Sequence, residues 1–336
     1  MRAIVCEQPR RLGIAERPIP ARGPGEVLIR IRRVGLCGTD YHIFAGDQPF
    51  LSYPRVIGHE LAGEVAEADE GSGVRPGERV TINPYLACGD CIACRKDKPN
   101  CCVSIRVLGV HADGGLCDYL AVPERAVIPV GSLTLDQAAM VEFLSVGAHA
   151  VRRGEVRTGD RVLVVGAGPI GVAVALFAAR AGAAVTLADT SRQRLAYARD
   201  AVGVADVVAV DDDLDATLAA RTDGDFFDVV FDATGNRAAM ERGFGFVAHG
   251  GSYVLVGLTK QAVAFAHPEF HKREMCLIGS RNATAEDFRA VIAAIEGGAI
   301  PTEAILTHAF PLAEVPERIP ALIDEQGSVM KAIVTV

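Results

Sequence analysis

Arg161-Val-Leu-Val-Val165 runs directly into Gly166-Ala-Gly-Pro-Ile-Gly171 and then into an Ala-rich stretch that ends near Gly182. A buried strand, a glycine turn and a helix in that order leave few folds open. The first glycine makes the turn, the second admits a pyrophosphate and the third lets helix meet strand, so the context lends weight to a GxGxxG motif that would be weak alone. The helix N-terminus offers free N–H groups to phosphates, and Pro169 suits the first turn because its missing N–H is not needed there. Gly166, Gly168, Pro169, Ile170 and Gly171 are therefore expected to bind a dinucleotide. Asp189 ends the next strand, placed to accept hydrogen bonds from the adenosine ribose and to repel a 2′-phosphate, which predicts NAD over NADP. Arg194 follows it, and Val256, Gly257 and Leu258 follow a later strand; these complete the expected cofactor set.

Apolar strands alternating with Ala-rich helical stretches are expected at 161–165, 185–189, 206–210, 228–233, 252–256 and 275–279, the pattern of parallel βαβ units in a doubly wound sheet. Before about Gly147 the character differs: short alternating segments such as 26–32, 63–67 and 79–82 are punctuated by Gly and Pro, as in a β-rich domain. An amphipathic helix is expected near 285–296, and the strand-like 330–336 tail is assigned back to the first domain. The division is then 1–147 with 281–336 as the β-rich domain, and 148–280 as the nucleotide domain.

Cys88, Cys91 and Cys94 form a CxxCxxC run, with Cys101 and Cys102 beyond it. Tetrahedral zinc takes four thiolates, and two-residue gaps let a tight turn wrap one ion. Arg95, Lys96 and Lys98 lie between the thiols and would offset the negative charge of a zinc tetrathiolate. Spacing alone leaves Cys101 and Cys102 both open as the fourth ligand. Such a site would be structural, because four thiolates leave no open position.

A net charge of −8, without a dense Lys/Arg cluster, excludes a nucleic-acid partner and points to a small molecule. No apolar run approaches the roughly 20 residues of a bilayer span, and the N-terminus has no signal-peptide core. Nine cysteines then read as metal ligands and buried thiols in a reducing compartment, so the cytoplasm is the expected location.

Cys37-Gly-Thr-Asp-Tyr-His42, Gly58-His59-Glu60 and Glu142 lie in or at the edge of the β-rich domain. One Cys, one His and one or two carboxylates make a mixed zinc set with an open position, as catalytic zinc requires. Taken with the cysteine run, Gly166 to Gly171, Asp189 and Lys331-Ala-Ile-Val, they resemble the zinc-dependent medium-chain alcohol dehydrogenases in the polyol, threonine and sugar-acid branch. The resemblance implies a GroES-like catalytic domain beside a Rossmann domain. It also implies NAD and two zincs per chain, one catalytic and one structural, in a homo-oligomer, either dimer or tetramer.

Tyr53-Pro-Arg-Val-Ile-Gly-His-Glu60, Gly109-Val-His-Ala-Asp-Gly-Gly115 and Pro268-Glu-Phe-His-Lys-Arg273 are similar to segments of L-galactonate and L-gulonate 5-dehydrogenases, which oxidise a secondary hydroxyl of a hexonate to a keto acid. On that resemblance Cys37 and His59 bind catalytic zinc, Glu60 or Glu142 supplies the carboxylate, and Thr39 and His42 relay the proton. Cys102 becomes the fourth structural ligand. Where relatives commonly carry Pro after the acid, this chain has Phe143. A sugar-acid carboxylate needs a cation, for which Arg281 is the best placed candidate and Lys272 and Arg273 are alternatives, with His111 and Asp113 lining the substrate pocket. Two alternatives share the class, a polyol and a threonine-type dehydrogenase. A zinc-free NADPH reductase is opposed by Cys37, His59 and Asp189, and a non-catalytic NAD-sensing zinc protein would carry a single zinc.

Overall fold

The early alternation becomes β structure in a computed structural model that describes residues 1–48, 51–325 and 327–336. The chain divides into two units, Met1–Glu142 with Ala283–Val336, and Phe143–Asn282. The expected boundary at 147/148 falls inside a continuous helix, α2, described below.

Strands of the first unit are β1 (Arg2–Gln8), β2 (Arg11–Glu16), β3 (Glu26–Leu36), β4 (Arg55–Val56), β5 (Glu60–Glu67), β6 (Arg79–Ile82), β7 (Tyr85–Leu86), β8 (Arg106–Val107), β9 (Tyr119–Pro123) and β10 (Val127–Pro129). Helix α1 (Gly38–Ala45) follows β3, and α2 (Leu135–Arg153) leads out of the unit. In β3 the apolar set Val27, Ile29 and Ile31 shifts phase to Val34 and Leu36, and the register against β5 slips between Ile31 and Arg33. Because side chains alternate faces, one extra residue there keeps both halves of the strand facing the same core.

The second unit contributes β11 (Arg161–Val165), helix α3 (Pro169–Arg180), β12 (Ala184–Asp189), β13 (Asp206–Ala209), β14 (Phe227–Asp232), β15 (Val247–Leu255) and β16 (Cys276–Gly279). Their order is β13-β12-β11-β14-β15-β16, with every neighbouring pair parallel. That is the 3-2-1-4-5-6 order of the doubly wound dinucleotide fold. Each expected strand is present. The fifth starts five positions early, because Ala248-His-Gly-Gly251 hides a register shift in which Gly250 takes φ +78°. Leu163, Val165, Val230 and Tyr253 lie in the buried core of this sheet.

The chain then re-enters the first unit. The Ala285–Glu296 helix is capped by Thr284 and Asp287 and buries Phe288, Val291, Ile292 and Ile295, one face at helical spacing. β17 (Leu306–Pro311) and β18 (Lys331–Thr335) complete a sheet of order β10-β6-β5-β3-β18-β17, with β9 also on β3. Strand β18 therefore lies against β3, pairing Ala332 with Leu36 and Ile333 with Gly35. No helix among the described residues is long and apolar enough to cross a membrane.

Candidate functional site

Three features carry chemistry, two in the first unit and one in the second. The first is the cysteine loop. The sulfurs of Cys88, Cys91, Cys94 and Cys102 all lie within 4.8 Å of one another, and none is in a disulfide. Cys101 is exposed whereas Cys102 is buried and accepts a hydrogen bond from Cys88 N at 3.3 Å, so the structure brings Cys102 to the cluster. Backbone N–H groups of Cys94 and Val103 hold the Cys91 thiol down at about 6, while Cys88, first through its hydrogen bond with Asp90, is pushed up to about 12. Four sulfurs this close cannot all ionise unaided, and a thiophilic cation is the group that fits them. Arg95 donates to the Asp90 carbonyl and so braces the loop.

The second feature forms where α1 begins. Cys37 is the helix N-cap, its sulfur accepting from Thr39 N at 3.2 Å, and it stands 3.0 Å from His59 Nε2. Asp40, fully buried, ties the two segments together: its carboxylate accepts from Cys37 N at 3.0 Å and from Gly58 N at 3.1 Å. Gly58 has φ +93°, and a β-carbon there would lie 2.9 Å from Val34 and 3.0 Å from Leu116. Only glycine delivers His59 into this corner.

His59, Glu60 and Glu142 are all buried, with ligand atoms within 4.8 Å of one another, and Cys37, Asp40 and His59 form an overlapping group. Burial disfavours a charged imidazole, yet Cys37, Asp40 and Glu142 together raise the His59 pKa well above its ordinary value. An anionic pocket that drives its own histidine towards a positive charge is a pocket suited to a cation. His59 Nδ1 has no hydrogen-bond partner, its nearest carboxylate being Asp40 Oδ1 at 3.9 Å. A sulfur, an imidazole nitrogen and a carboxylate are the donor types of a zinc site that keeps a position open.

The two carboxylates are held differently. Both oxygens of Glu60 accept from Lys331 Nζ at 2.7 Å, and this ammonium also donates to Leu36 O at 3.2 Å. Glu142, on α2, accepts from the Tyr85 hydroxyl, and α2 continues unbroken through Phe143. Burial pushes the Glu142 carboxyl up to about 7 against the pull of His59. Asp40, Tyr85 and Lys331 carried no assigned role in the sequence reading. For Lys331 the available signal was a lone charge in an otherwise apolar terminal strand.

The third feature is the glycine turn. Gly166 takes φ +106°, and a β-carbon there would meet Thr234 at 3.1 Å. Gly168 is the α3 N-cap, contributes no side-chain cap, and would direct a β-carbon into open space. The first N–H groups of α3 are thus left for an anion. A β-carbon on Gly171 would overlap the Gly166 carbonyl and lie 3.5 Å from Ala233, so the third glycine lets the turn close on itself as well as on the sheet. Asp189 is buried; one oxygen accepts from Ala167 N at 2.6 Å and the other from Ser191 N at 2.7 Å. Its carboxylate orders the glycine turn besides presenting charge at the strand end. Val256 N and Gly257 N both donate to Asp232 O at 2.9 Å, bringing the turns after β14 and β15 together, and Leu258 is exposed. Arg194 belongs to the helix that follows Asp189, its N–H capped by Ser191.

Thr39 and His42 share α1, half-buried and exposed respectively. Arg281 is exposed, two residues beyond β16. His111 Nδ1 accepts from Val107 N at 3.1 Å. Asp113 is bound by Arg17 at 2.8 Å, Arg55 at 3.3 Å and Val56 N at 3.1 Å, so its carboxylate is committed to holding the segment.

Comparison with known proteins bears on both units. The alcohol dehydrogenase GroES-like domain family matches residues 23–132, and the zinc-binding dehydrogenase family matches 169–297. An L-galactonate-5-dehydrogenase of Escherichia coli K12 is 41% identical across 100% of this chain and 99% of its own. A 2-dehydro-3-deoxy-L-galactonate 5-dehydrogenase of Pseudoalteromonas atlantica is 34% identical, covering 92% of this chain and 91% of its own. Among solved structures, an alcohol dehydrogenase (rspB) of E. coli CFT073 in complex with NADH superposes with a TM-score of 0.94 at 31% identity, over 100% of this chain and 99% of that one.

Proposed function

The chain belongs to the zinc-dependent medium-chain alcohol dehydrogenases, in the polyol and sugar-acid branch, and from that premise we propose that it oxidises a secondary hydroxyl of a hexonate with NAD, giving a keto acid. The observation that carries the reading is the cluster around buried His59, with the half-buried Cys37 sulfur 3.0 Å from its ring and Glu60 and Glu142 within 4.8 Å of it, distinct from the four-thiol loop. L-Galactonate and L-gulonate are the proposed substrates, because two full-length relatives are named for oxidation at position 5 of six-carbon sugar acids.

Cys37 and His59 with one glutamate would hold the catalytic zinc, and Cys88, Cys91, Cys94 and Cys102 the structural one. When bound, the catalytic zinc supplies a Lewis acid that lets an alcohol lose its proton near neutral pH. NAD supplies the hydride acceptor. Asp40 fixes the two segments that present sulfur and imidazole, so the donors keep their spacing while a substrate exchanges. The Thr39 hydroxyl accepts the alcohol proton, and exposed His42, three residues along the same helix, releases it to water. The α3 N-terminus and Gly168 hold the pyrophosphate, with Ile170, Arg194 and Val256 to Leu258 lining the rest of the cofactor. Asp189 holds the ribose and disfavours a 2′-phosphate. Arg281 binds the substrate carboxylate, and His111 lines the pocket.

A homo-oligomer is part of this reading. Cys276–Gly279 is an edge strand of the parallel sheet, Leu277 is 42% exposed on it, and a second copy would extend the sheet there. The neighbouring strand β15 is paired on both sides and offers no such edge. Nine free cysteines fit a reducing compartment, and the cytoplasm is the proposed location.

The deciding experiment is an NAD-reduction screen over stereoisomeric hexonates and hexitols, run beside metal analysis. Turnover of a hexonate with two zincs per chain is expected. Hexitol oxidation at higher kcat/KM would make the protein a polyol dehydrogenase, and a single zinc without turnover would make it a non-catalytic NAD-binding protein.

A further inference from the structure

Two buried carboxylates, Glu60 and Glu142, stand within 4.8 Å of the His59 ring nitrogen. One metal position does not need both. The chain compensates them unequally: Glu60 gives both oxygens to an ammonium, whereas Glu142 has a neutral phenol on one oxygen.

The ammonium reaches Glu60 because of sheet order. Glu60 on β5 pairs with Gly35 on β3, and Lys331 on β18 directly precedes Ala332, the partner of Leu36 on β3. The two charges therefore approach across an intervening strand. Gly35 makes this possible, since a β-carbon there would overlap the Glu60 carboxylate. Lys331 is 1% exposed and Glu60 fully buried. A buried ion pair with both oxygens engaged is costly to break, because either charge left alone is uncompensated.

We infer that Lys331 is a positioning residue that holds Glu60 out of the metal's coordination sphere, leaving Glu142 to complete the Cys37 and His59 donor set. The inference rests on the reading of this cluster as the catalytic zinc site. It assigns separate roles to the glutamates: Glu142 is the ligand, and Glu60 is a neutralised neighbour held in reserve by the lysine. Tyr85, donating to one Glu142 oxygen, leaves the other for metal.

Cobalt(II) substitution tests this, because its visible d–d absorption reports coordination number and donors, and subtracting the wild-type spectrum cancels the four-thiol site. In Lys331→Met, Glu60 loses its counter-ion and is expected to turn to the metal, adding an oxygen ligand and weakening the d–d bands. Lys331→Arg should keep the wild-type spectrum. Removing Glu60 alone would strand a buried lysine and risks unfolding, so the second arm is the double variant Glu60→Gln with Lys331→Met. It should restore the wild-type spectrum and wild-type zinc affinity, whereas Glu142→Gln should weaken zinc binding by at least roughly 10-fold to 100-fold. An unchanged cobalt spectrum in folded Lys331→Met would overturn the inference. Loss of zinc from the double variant with retention in Glu142→Gln would also overturn it, making Glu60 the ligand. A wild-type chain that takes up only one metal, at the four-thiol loop, would refute the underlying site reading instead.

Discussion

Glu60 occupies the space in which Gly35 would carry a β-carbon. The two residues are register partners on β5 and β3, so the packing is set by strand pairing and cannot relax by a turn of the backbone. Gly35→Ala should destabilise the protein by about 1–3 kcal/mol, the range for overpacking a tight interior. Urea unfolding of the zinc-loaded protein measures it. An unchanged midpoint would show that Glu60 has room to move.

Cys102 is buried among the other three thiols and Cys101 is exposed beside it. Cys102→Ser should reduce metal content from two zincs per chain to one and lower Tm, while Cys101→Ser should leave both unchanged. Elemental analysis distinguishes the neighbours. The reverse result would move the fourth ligand by one position.

Asp189 accepts from Ala167 N in the glycine turn and from Ser191 N just beyond its own strand, at the strand end where the ribose is proposed to bind. Asp189→Ala should raise KM for NAD on the order of tenfold or more, since a hydrogen bond to a charged group contributes about 1.5–3 kcal/mol. The ratio of kcat/KM for NAD to that for NADP should fall with it. A ratio that does not move would confine Asp189 to ordering the turn.

Thr39 contacts the Cys37 sulfur through its backbone N–H, which a side-chain substitution leaves in place. Thr39→Ala should lower kcat by about 10²–10⁴-fold, the usual contribution of a positioned proton acceptor, with zinc content intact. Steady-state kinetics with metal analysis checks both halves. Undiminished turnover would remove Thr39 from the proton path.

Arg281 is the proposed partner of the substrate carboxylate. Arg281→Ala should raise KM for a hexonate by roughly 10-fold to 100-fold, from the loss of one charged hydrogen bond, and leave a matching hexitol little changed. Parallel assays on both substrates decide it. Equal losses would mean that Arg281 does not read the carboxylate.

Much of this protein was legible because its signals are local. A five-residue apolar strand, its glycine turn and the following helix lie in one stretch of sequence, and the order of the parallel sheet follows from repeating that unit. The cysteine run is likewise a short loop whose spacing matches one ion. Even the missed start of β15 has a local cause, two glycines inside a bulge that break the apolar pattern.

By itself, then, the sequence determined the two kinds of domain, the nucleotide turn and the donor types available to metal, since each depends on residues a few positions apart. Tertiary structure alone decided how those donors are supported. Asp40 joins Cys37 to Gly58, Tyr85 meets Glu142, and Lys331 meets Glu60 from 271 positions away in the chain. Apart from Cys37 and Asp40, three residues apart across a helix N-cap, none of these pairs has a spacing to recognise, because the tertiary fold brought them together and burial made their charges answer to one another.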